Sequence, residues 1–498
     1  MVHLDKKRGA DPAAQASSPV SEAFSHGRAL FTDFYQLTMG AAYLHAGVAE
    51  NRASFELFVR QLPRVRSYMV FAGLAQVLDY LVHLRFTGRE IAYLRRHPAL
   101  AHAPRAFFQR LENFRFSGDV WALPEGMPAF AGEPLLRIEA PLLEAQLVET
   151  YLLSMINFQT SVATKAARLV QAARGRPIME FGTRRAHTAF AGLYGARAAY
   201  LGGCSGTSNV AAGVEFGIPV GGTFAHSYVL AFASEQEAFR NYAETFQEHA
   251  TLLIDTYDVA QGAELAARLQ GPVRALRLDS GNALPLSRQM RGILNRAGRR
   301  ETQIMLSGDL NEYRIEDLVR LGAPLDSFGV GTELITSIDA PALGGVYKLV
   351  EIERQGRTFA TAKFSSDKIT LPGRKQIYRY SSRGGQYRHD WLGLQGEAAP
   401  ARPDAECRPL LRPVMRAGRL LPAAGQSLEQ ARQLCREQLA KLPARYRRLV
   451  DAGNFPVRIS PRLRALQQEV KRRRSEEVKS GAGGEAGRPQ GKKRGSDE

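Results

Sequence analysis

The sequence predicts an α/β protein with a parallel sheet and a smaller α+β domain before it, and three observations carry that expectation. From about residue 160, short apolar runs alternate with longer helix-like stretches, as strand–helix–strand units do. Before residue 150, one amphipathic helix precedes short strands broken by Pro and Gly. The chain has 498 residues, 44% of them hydrophobic and 9% aromatic, which is more than one compact core holds.

TDFYQLTMGAAYLHAG reads as the first helix. Thr32 or Asp33 can cap it, Gly47 can end it, and Phe34, Leu37, Ala41 and Leu44 form an apolar stripe with Tyr35 just beside it. ASFELFVRQLP alternates as a strand, and WALPEGMPAFAGEPLLRIEAP reads as a set of short strands. Seven apolar runs follow: PIMEF (177–181), AAYLG (198–202), IPVGG (218–222), TLLID (251–255), VRALRLD (273–279), QIMLSG (303–308) and DSFGVG (326–331). Helix-like stretches such as SEQEAFRNYAETFQEHA separate them. A closed β/α barrel and an open doubly wound sheet both fit this pattern.

Three cysteines, Cys204, Cys407 and Cys435, lie far apart with no C-x-x-C pair, so neither a disulfide framework nor a structural zinc site is expected. A reducing cytoplasm suits them. No stretch is apolar and long enough to cross a bilayer, and the N-terminus lacks the apolar core of a signal peptide. The formal charge of +18 invites a nucleic-acid reading, but the arginines are spread along the whole chain. The one concentrated basic run starts at Lys471, where Gly, Ser and charge replace apolar residues as in a disordered tail.

In both candidate folds the ligand sits at the carboxyl ends of the strands, so those ends should look chemical. They do. In order they offer Glu180, Gly182, Arg184 and Arg185; Ser205, Thr207, Ser208 and Asn209; Thr223 and His226; Asp255 and Asp258; Arg277, Asp279 and Ser280; Ser307, Gly308 and Asp309; and Gly329, Gly331 and Thr332. Each alone is ordinary turn or cap chemistry. Together they suit an anionic, polyhydroxylated ligand. SGDL and FGVGT place small residues where backbone N–H groups can approach phosphate, and the arginines can grip carboxylate or phosphate two-pronged. Neither a Walker A motif nor G-x-G-x-x-G occurs.

The blocks TDFYQLTM, EFGTRRAH, GGCSGTSNV, GTFAHS, LLIDTYD, RLDSG, FGVGTEL, GGVYKLVE and TLPGRKQIYR, in this order, resemble the nicotinate phosphoribosyltransferase family. The resemblance runs from about Phe31 to NFPVRISPRLRAL. It implies an irregular β/α barrel of about seven parallel strands with an N-terminal α+β domain, as in the type II phosphoribosyltransferases. It also implies that nicotinate and 5-phosphoribosyl-1-pyrophosphate give nicotinate mononucleotide and pyrophosphate, a step of NAD salvage by the Preiss-Handler route. ATP is the implied co-substrate, and magnesium travels with the phosphates rather than on a fixed protein site. A cytoplasmic homodimer with shared active sites is expected, with no membrane or nucleic-acid partner. The expected divisions are tail 1–27, α+β domain 28–150, barrel 151–365, a segment 366–470 packing back on the N-terminal domain, and basic tail 471–498.

Roles carry over residue by residue. The resemblance makes His226 a phosphorylated histidine and, with Asp279 and Arg277, part of the catalytic set. Tyr35, Phe181, Arg184, Ser208, Thr223 and Arg277 are the implied nicotinate contacts. Asp279, Gly308, Asp309, Gly331 and Thr332 are implied to hold the phosphoribosyl pyrophosphate. Relatives that use nicotinamide carry an aspartate where Ser208 stands, and a carboxylate there would repel nicotinate. Ser208 and the full block order therefore disfavour nicotinamide and quinolinate as substrates, and an intact set of Tyr35, His226, Arg277 and Asp279 disfavours a non-catalytic basic protein. Asn282 and Asn311 depart from the usual acidic residues of the pattern.

Overall fold

The computed structural model describes residues 28–365 and 368–483. The expected N-terminal tail and residues 484–498 lie outside the described residues. Helix α1 (Phe34–His45) follows Asp33, whose carboxylate accepts a hydrogen bond from Thr150 Oγ1 (2.8 Å) instead of capping the helix. Leu37 and Ala41 are buried, but Phe34 and Tyr35 are 40% and 47% exposed, so the stripe is uncovered at its N-terminal end.

Strands β1 (Arg52–Val59), β2 (Asp119–Ala122) and β3 (Pro134–Pro141) are the centre of a seven-stranded antiparallel sheet in the order β1, β3, β2. Its two wings come from far along the chain: Gly345–Arg354 and Arg357–Ala360 beyond β1, and Arg412–Arg416 and Arg419–Leu420 beyond β2. Helix α2 (Glu149–Ala172) then passes from this unit into the next. Leu152 and Ile156 belong to the core under the antiparallel sheet, and Val162, Ala163, Ala166 and Leu169 to the core around the parallel one.

The parallel sheet has six strands, β4 (Ile178–Glu180), β5 (Gly206–Thr207), β6 (Thr251–Leu253), β7 (Ala275–Leu278), β8 (Gln303–Leu306) and β9 (Ser327–Val330). Their spatial order is β5, β4, β9, β8, β7, β6, so the last strand pairs with the first as in a barrel. The seventh position is a single parallel bridge, Thr207 to Val220, and the described ladder stops between Val220 and Thr251. Pro219 explains the brevity. It has no N–H to donate, and its carbonyl and the Gly221 N–H make the two bonds of the bridge, both 3.0 Å to Thr207.

AAYLG is not a strand. It is the last turn of helix α3 (Ala189–Leu201), capped by Thr188, whose Oγ1 accepts from Ala191 N (3.1 Å). Its alanines pack against α2 so closely that a Cβ on Gly202 would lie 2.4 Å from Ala163 O. The strand expected there is β5, a few residues later, and the apolar run marks a helix–helix contact instead.

The C-terminal segment adds a four-stranded sheet containing Lys375–Ser382 and Tyr387–Leu394, and helix α4 (Leu428–Lys441) with a Ser427–Gln430 capping box. The last helix, α5 (Pro461–Gly483), corrects the expected start of the basic tail at Lys471. It continues because Val470 is buried, and because Arg473 donates to Ala360 O (2.8 Å) and lies over the Phe359 ring. No helix among the described residues is long and apolar enough to cross a membrane.

Three cations and three carboxylates fasten α2 to the barrel. Lys165 Nζ reaches Glu312 (2.6 Å), Asp339 (3.0 Å) and Glu333 (3.4 Å); Arg168 Nε reaches Glu312 (2.9 Å); Arg66 reaches Asp339 (3.2 Å). Burial works against the Lys165 ammonium, but Glu312 and Asp339 outweigh it and hold its pKa above the ordinary lysine value. Glu312→Ala is expected to cost about 3–5 kcal/mol, because it leaves Lys165 and Arg168 short of a partner in a dry site. Thermal and urea unfolding of the variant against the parent check this.

Candidate functional site

The break in the ladder is where the sequence turns chemical. After Val220 the chain runs through Gly221 and Gly222 to Thr223, then enters the short helix His226–Leu230. A seventh strand would use up its backbone in pairing. An irregular loop leaves Thr223 and His226 free to be placed by side chains from β7 and from the exit of β6.

Arg277, on β7, donates from a terminal guanidinium nitrogen to Thr223 Oγ1 at 2.6 Å, and Thr223 Oγ1 in turn donates to Phe224 O (3.0 Å). Asp279 lies 3.4 Å from Arg277 on the same strand end. Burial lowers the Arg277 pKa, with Asp279 and Asp255 pulling it back up and the nearby Arg184 charge adding to the fall. The Arg277 Nε is buried without a hydrogen-bond partner, as are Thr183 Oγ1 and Asp255 Oδ1. These three, among other unpartnered buried atoms elsewhere in the described residues, belong to strand exits of the parallel sheet. Buried polar groups without partners are costly, so a polar ligand bound across these three exits would relieve that cost.

Asp255 organises this end. Its Oδ2 accepts from the Asp279 N–H (3.0 Å) and from Ser280 Oγ (2.6 Å), tying the exit of β6 to that of β7. The adjacent Thr256 Oγ1 hydrogen-bonds His226 Nδ1 at 3.2 Å, which orients the half-buried ring and leaves Nε2 without a partner among the described residues. Burial first, and then Asp255 and Asp258, raise the pKa of Glu235 to about 7.

The other flank is built by close backbone approach. A Cβ at Gly308 would lie 1.9 Å from Asp279 O, and its φ of +85° is one that glycine adopts without strain. Ser307 Oγ donates to Asp279 Oδ1, and Arg314 reaches toward the carbonyls of Gly308 and Asp309 (both 3.4 Å). Asp309 itself is exposed with φ +46°. Gly331 occupies the cap position of the short helix Thr332–Ile335, with Thr332 exposed. Phe181 leaves β4 through a hydrogen bond to Val330 O (2.8 Å), and its ring fills the space a side chain at Gly329 would need.

The structure thus gathers Phe181, Arg184, Thr223, His226, Arg277, Asp279, Gly308, Asp309, Gly331 and Thr332 at one end of the sheet. Ser208 joins them, exposed just past β5, while Asn209 caps the next helix. Tyr35 is not gathered. It is exposed on α1, and burial and the neighbouring Glu149 push its pKa up to about 12. Asn311 caps the helix Glu312–Arg320 through its Oδ1 on Arg314 N (2.9 Å), and Asn282 stands at the equivalent position of Ala283–Arg296 without a side-chain bond. Asp255 and Glu180 are strand-end residues whose parts emerge only here. Glu180 is fully buried, its pKa raised by burial, and it accepts from Thr207 Oγ1 and the Gly182 N–H.

No cluster of three His, Cys, Asp or Glu side chains able to hold a metal ion occurs among the described residues. Cavities of 320 and 650 Å³ lie elsewhere, one at the opposite end of the sheet around Arg176 and Arg291, the other beside α4.

Comparison with known proteins agrees in sequence and in shape. The family models for the nicotinate phosphoribosyltransferase N-terminal domain, the nicotinate phosphoribosyltransferase family and its C-terminal domain match residues 30–157, 177–379 and 374–467. A nicotinate phosphoribosyltransferase of Mycobacterium tuberculosis is 45% identical over 445 residues, covering 88% of this chain and 93% of that protein. The one from Bacillus subtilis is 43% identical over 378 residues, covering 74% and 76%. The crystal structure of human nicotinic acid phosphoribosyltransferase superposes with a TM-score of 0.76 at 30% identity, covering 88% of this chain and 99% of that one. On the strength of family models matching residues 30–157 and 177–467 and of relatives 43–45% identical over most of the chain, the chain belongs to the nicotinate phosphoribosyltransferase family.

Proposed function

We propose that the protein joins nicotinate to 5-phosphoribosyl-1-pyrophosphate, giving nicotinate mononucleotide and pyrophosphate in NAD salvage. The observation that carries this is the Arg277 guanidinium, anchored on Thr223 and buried with its Nε unpaired. A carboxylate is the partner that such a guanidinium edge suits best. Arg184 adds a second cation, Ser208 adds no repelling charge, and the Phe181 ring lies at the exit of β4. The nicotinate ring nitrogen attacks C1′ of the phosphoribosyl group, the bond from C1′ to the pyrophosphate oxygen breaks, and the ring becomes a pyridinium.

Asp279 faces the ribose, while the Gly308, Asp309, Gly331 and Thr332 backbone receives the phosphates; holding both substrates in line supplies much of the rate. Magnesium, when bound with the phosphates, neutralises the charge that develops on pyrophosphate. The residues fit that arrangement, since Asp279 Oδ1 is already engaged by Ser307 and Arg277, and the unpaired Asp255 Oδ1 is a lone oxygen rather than a cage.

The free Nε2 of His226 supports a phosphoryl acceptor. The nitrogen forms a bond to the γ-phosphorus of ATP as the bridging bond breaks and ADP leaves, and water later releases phosphate. The exposed Phe34 and Tyr35, standing away from the strand ends of their own chain, support a homodimer in which α1 of one subunit covers the site of the other.

Three outcomes test this reading. Nicotinate should exceed nicotinamide in kcat/KM by roughly ten- to a hundredfold, the worth of a charge-assisted pair at about 1.5–3 kcal/mol, and Arg277→Gln should erase most of that preference; equal use of both rings by the parent protein contradicts it. His226→Ala should lose acid-labile label from γ-labelled ATP and lose ATP stimulation, yet keep a slower ATP-independent transfer with an unchanged melting temperature. Mixing inactive Tyr35→Ala and Asp279→Ala chains should restore part of the activity through hybrid sites, whereas full activity in a monomer resolved by light scattering defeats the shared-site dimer.

A further inference from the structure

The 650 Å³ cavity beside α4 takes no part in the site described above. It lies between the hairpin of Lys375–Ser382 and Tyr387–Leu394, the strand Ala405–Pro409, the turn 422–426 and α4. Its volume falls within the range of small-molecule sites. Four cations line it against one carboxylate, Glu406. Two of the four are neutralised: Arg379 is buried on Asp390 (2.7 Å), and Arg408 pairs with Glu406 (3.1 Å). Arg412 and Lys441 make no ion pair among the described residues, and burial lowers the Arg412 pKa. The positive charge in the cavity is therefore uncompensated.

The remaining walls are of two kinds. Met127, Leu410 and Leu434 give apolar lining for a planar ring, while Ser381 offers a hydroxyl and Gln430 and Gln438, whose Oε1 atoms accept from the Ser427 N–H and the Tyr387 hydroxyl, keep their amide N–H groups. We infer that this cavity is a second ligand site for an anionic mononucleotide, its phosphate on Arg412 and Lys441 and its base against the apolar wall. A physical connection to the barrel exists. Gln426, in the cavity wall, makes two 3.0 Å bonds with the Glu125 backbone, and the Glu125 carboxylate grips Arg197 of α3 (2.6 Å), the helix that follows the Thr183–Arg185 turn.

The test is a calorimetric titration of AMP, adenosine and inorganic phosphate into the parent protein and into Arg412→Gln/Lys441→Gln. Both substituted side chains are outside the catalytic set, so the double variant should keep the parent kcat/KM for nicotinate and its melting temperature. AMP is expected to bind the parent more tightly than adenosine or phosphate does, and the double variant about tenfold or more weakly, the loss of one charge-assisted contact at least. AMP affinity and stoichiometry unchanged in the double variant, or no AMP binding to the parent, overturn the assignment. Phosphate binding as tightly as AMP overturns the mononucleotide part, since the apolar wall would then contribute nothing.

Discussion

The strand exits after β8 and β9 are tied to α2 by six charges, of which Arg66, Lys165, Arg168 and Glu312 are buried and Glu333 and Asp339 half-buried. Lys165 is 1% exposed and Glu312 is wholly buried, so neither can be hydrated once the chain has folded. Removing such ions from water costs several kcal/mol each, and only mutual pairing offsets it. The pairing has a geometric consequence. Glu312 opens the helix after β8, Glu333 belongs to the turn after β9, and Asp339 lies a few residues on, so one lysine ties three successive positions of the chain to one helix. Gly308 and Asp309 lie just before the first of those anchors, and Thr332 immediately before the second.

The second constraint is the incomplete seventh strand. A fully closed ladder would satisfy the backbone of 218–226 and turn alternate side chains inward and outward. Pro219 and the Gly221–Gly222 pair prevent that, and the segment is instead held by side-chain bonds from its neighbours: Arg277 to Thr223 from one side, Thr256 to His226 from the other. Both grips trace back to Asp255, which fixes the exit of β6 against that of β7. The loop's position is thus set by hydrogen bonds from the side chains of adjacent strands. Site and sheet are coupled through two hydrogen bonds.

How much of this was legible beforehand can be judged from particular residues. Five of the six strands, β4 and β6 to β9, fall on the expected runs of short apolar residues, because strand periodicity and Pro/Gly punctuation are local properties. AAYLG misled for an equally local reason: an alanine-rich helix end buried against α2 has the composition of a buried strand, and only the Gly202–Ala163 contact tells them apart. At Lys471 the polar composition suggested a tail, but Arg473 finds a carbonyl and an aromatic ring on a strand more than a hundred residues earlier.

For the site, the sequence by itself determined which residue types stand at the strand ends, since a strand exit is marked by where apolar alternation stops and polar or glycine residues begin. The order of the blocks also determined the family. What only the tertiary structure decided is how those ends relate: that Arg277 bonds Thr223, that Asp255 supports Asp279 and Ser280, that Gly308 must be bare because Asp279 O lies against it, and that Tyr35 stands apart from all of them. The physical reason is that hydrogen bonds, desolvation and steric exclusion act between atoms close in space, and residues 223 and 277, or 279 and 308, become neighbours only when parallel strands are laid side by side.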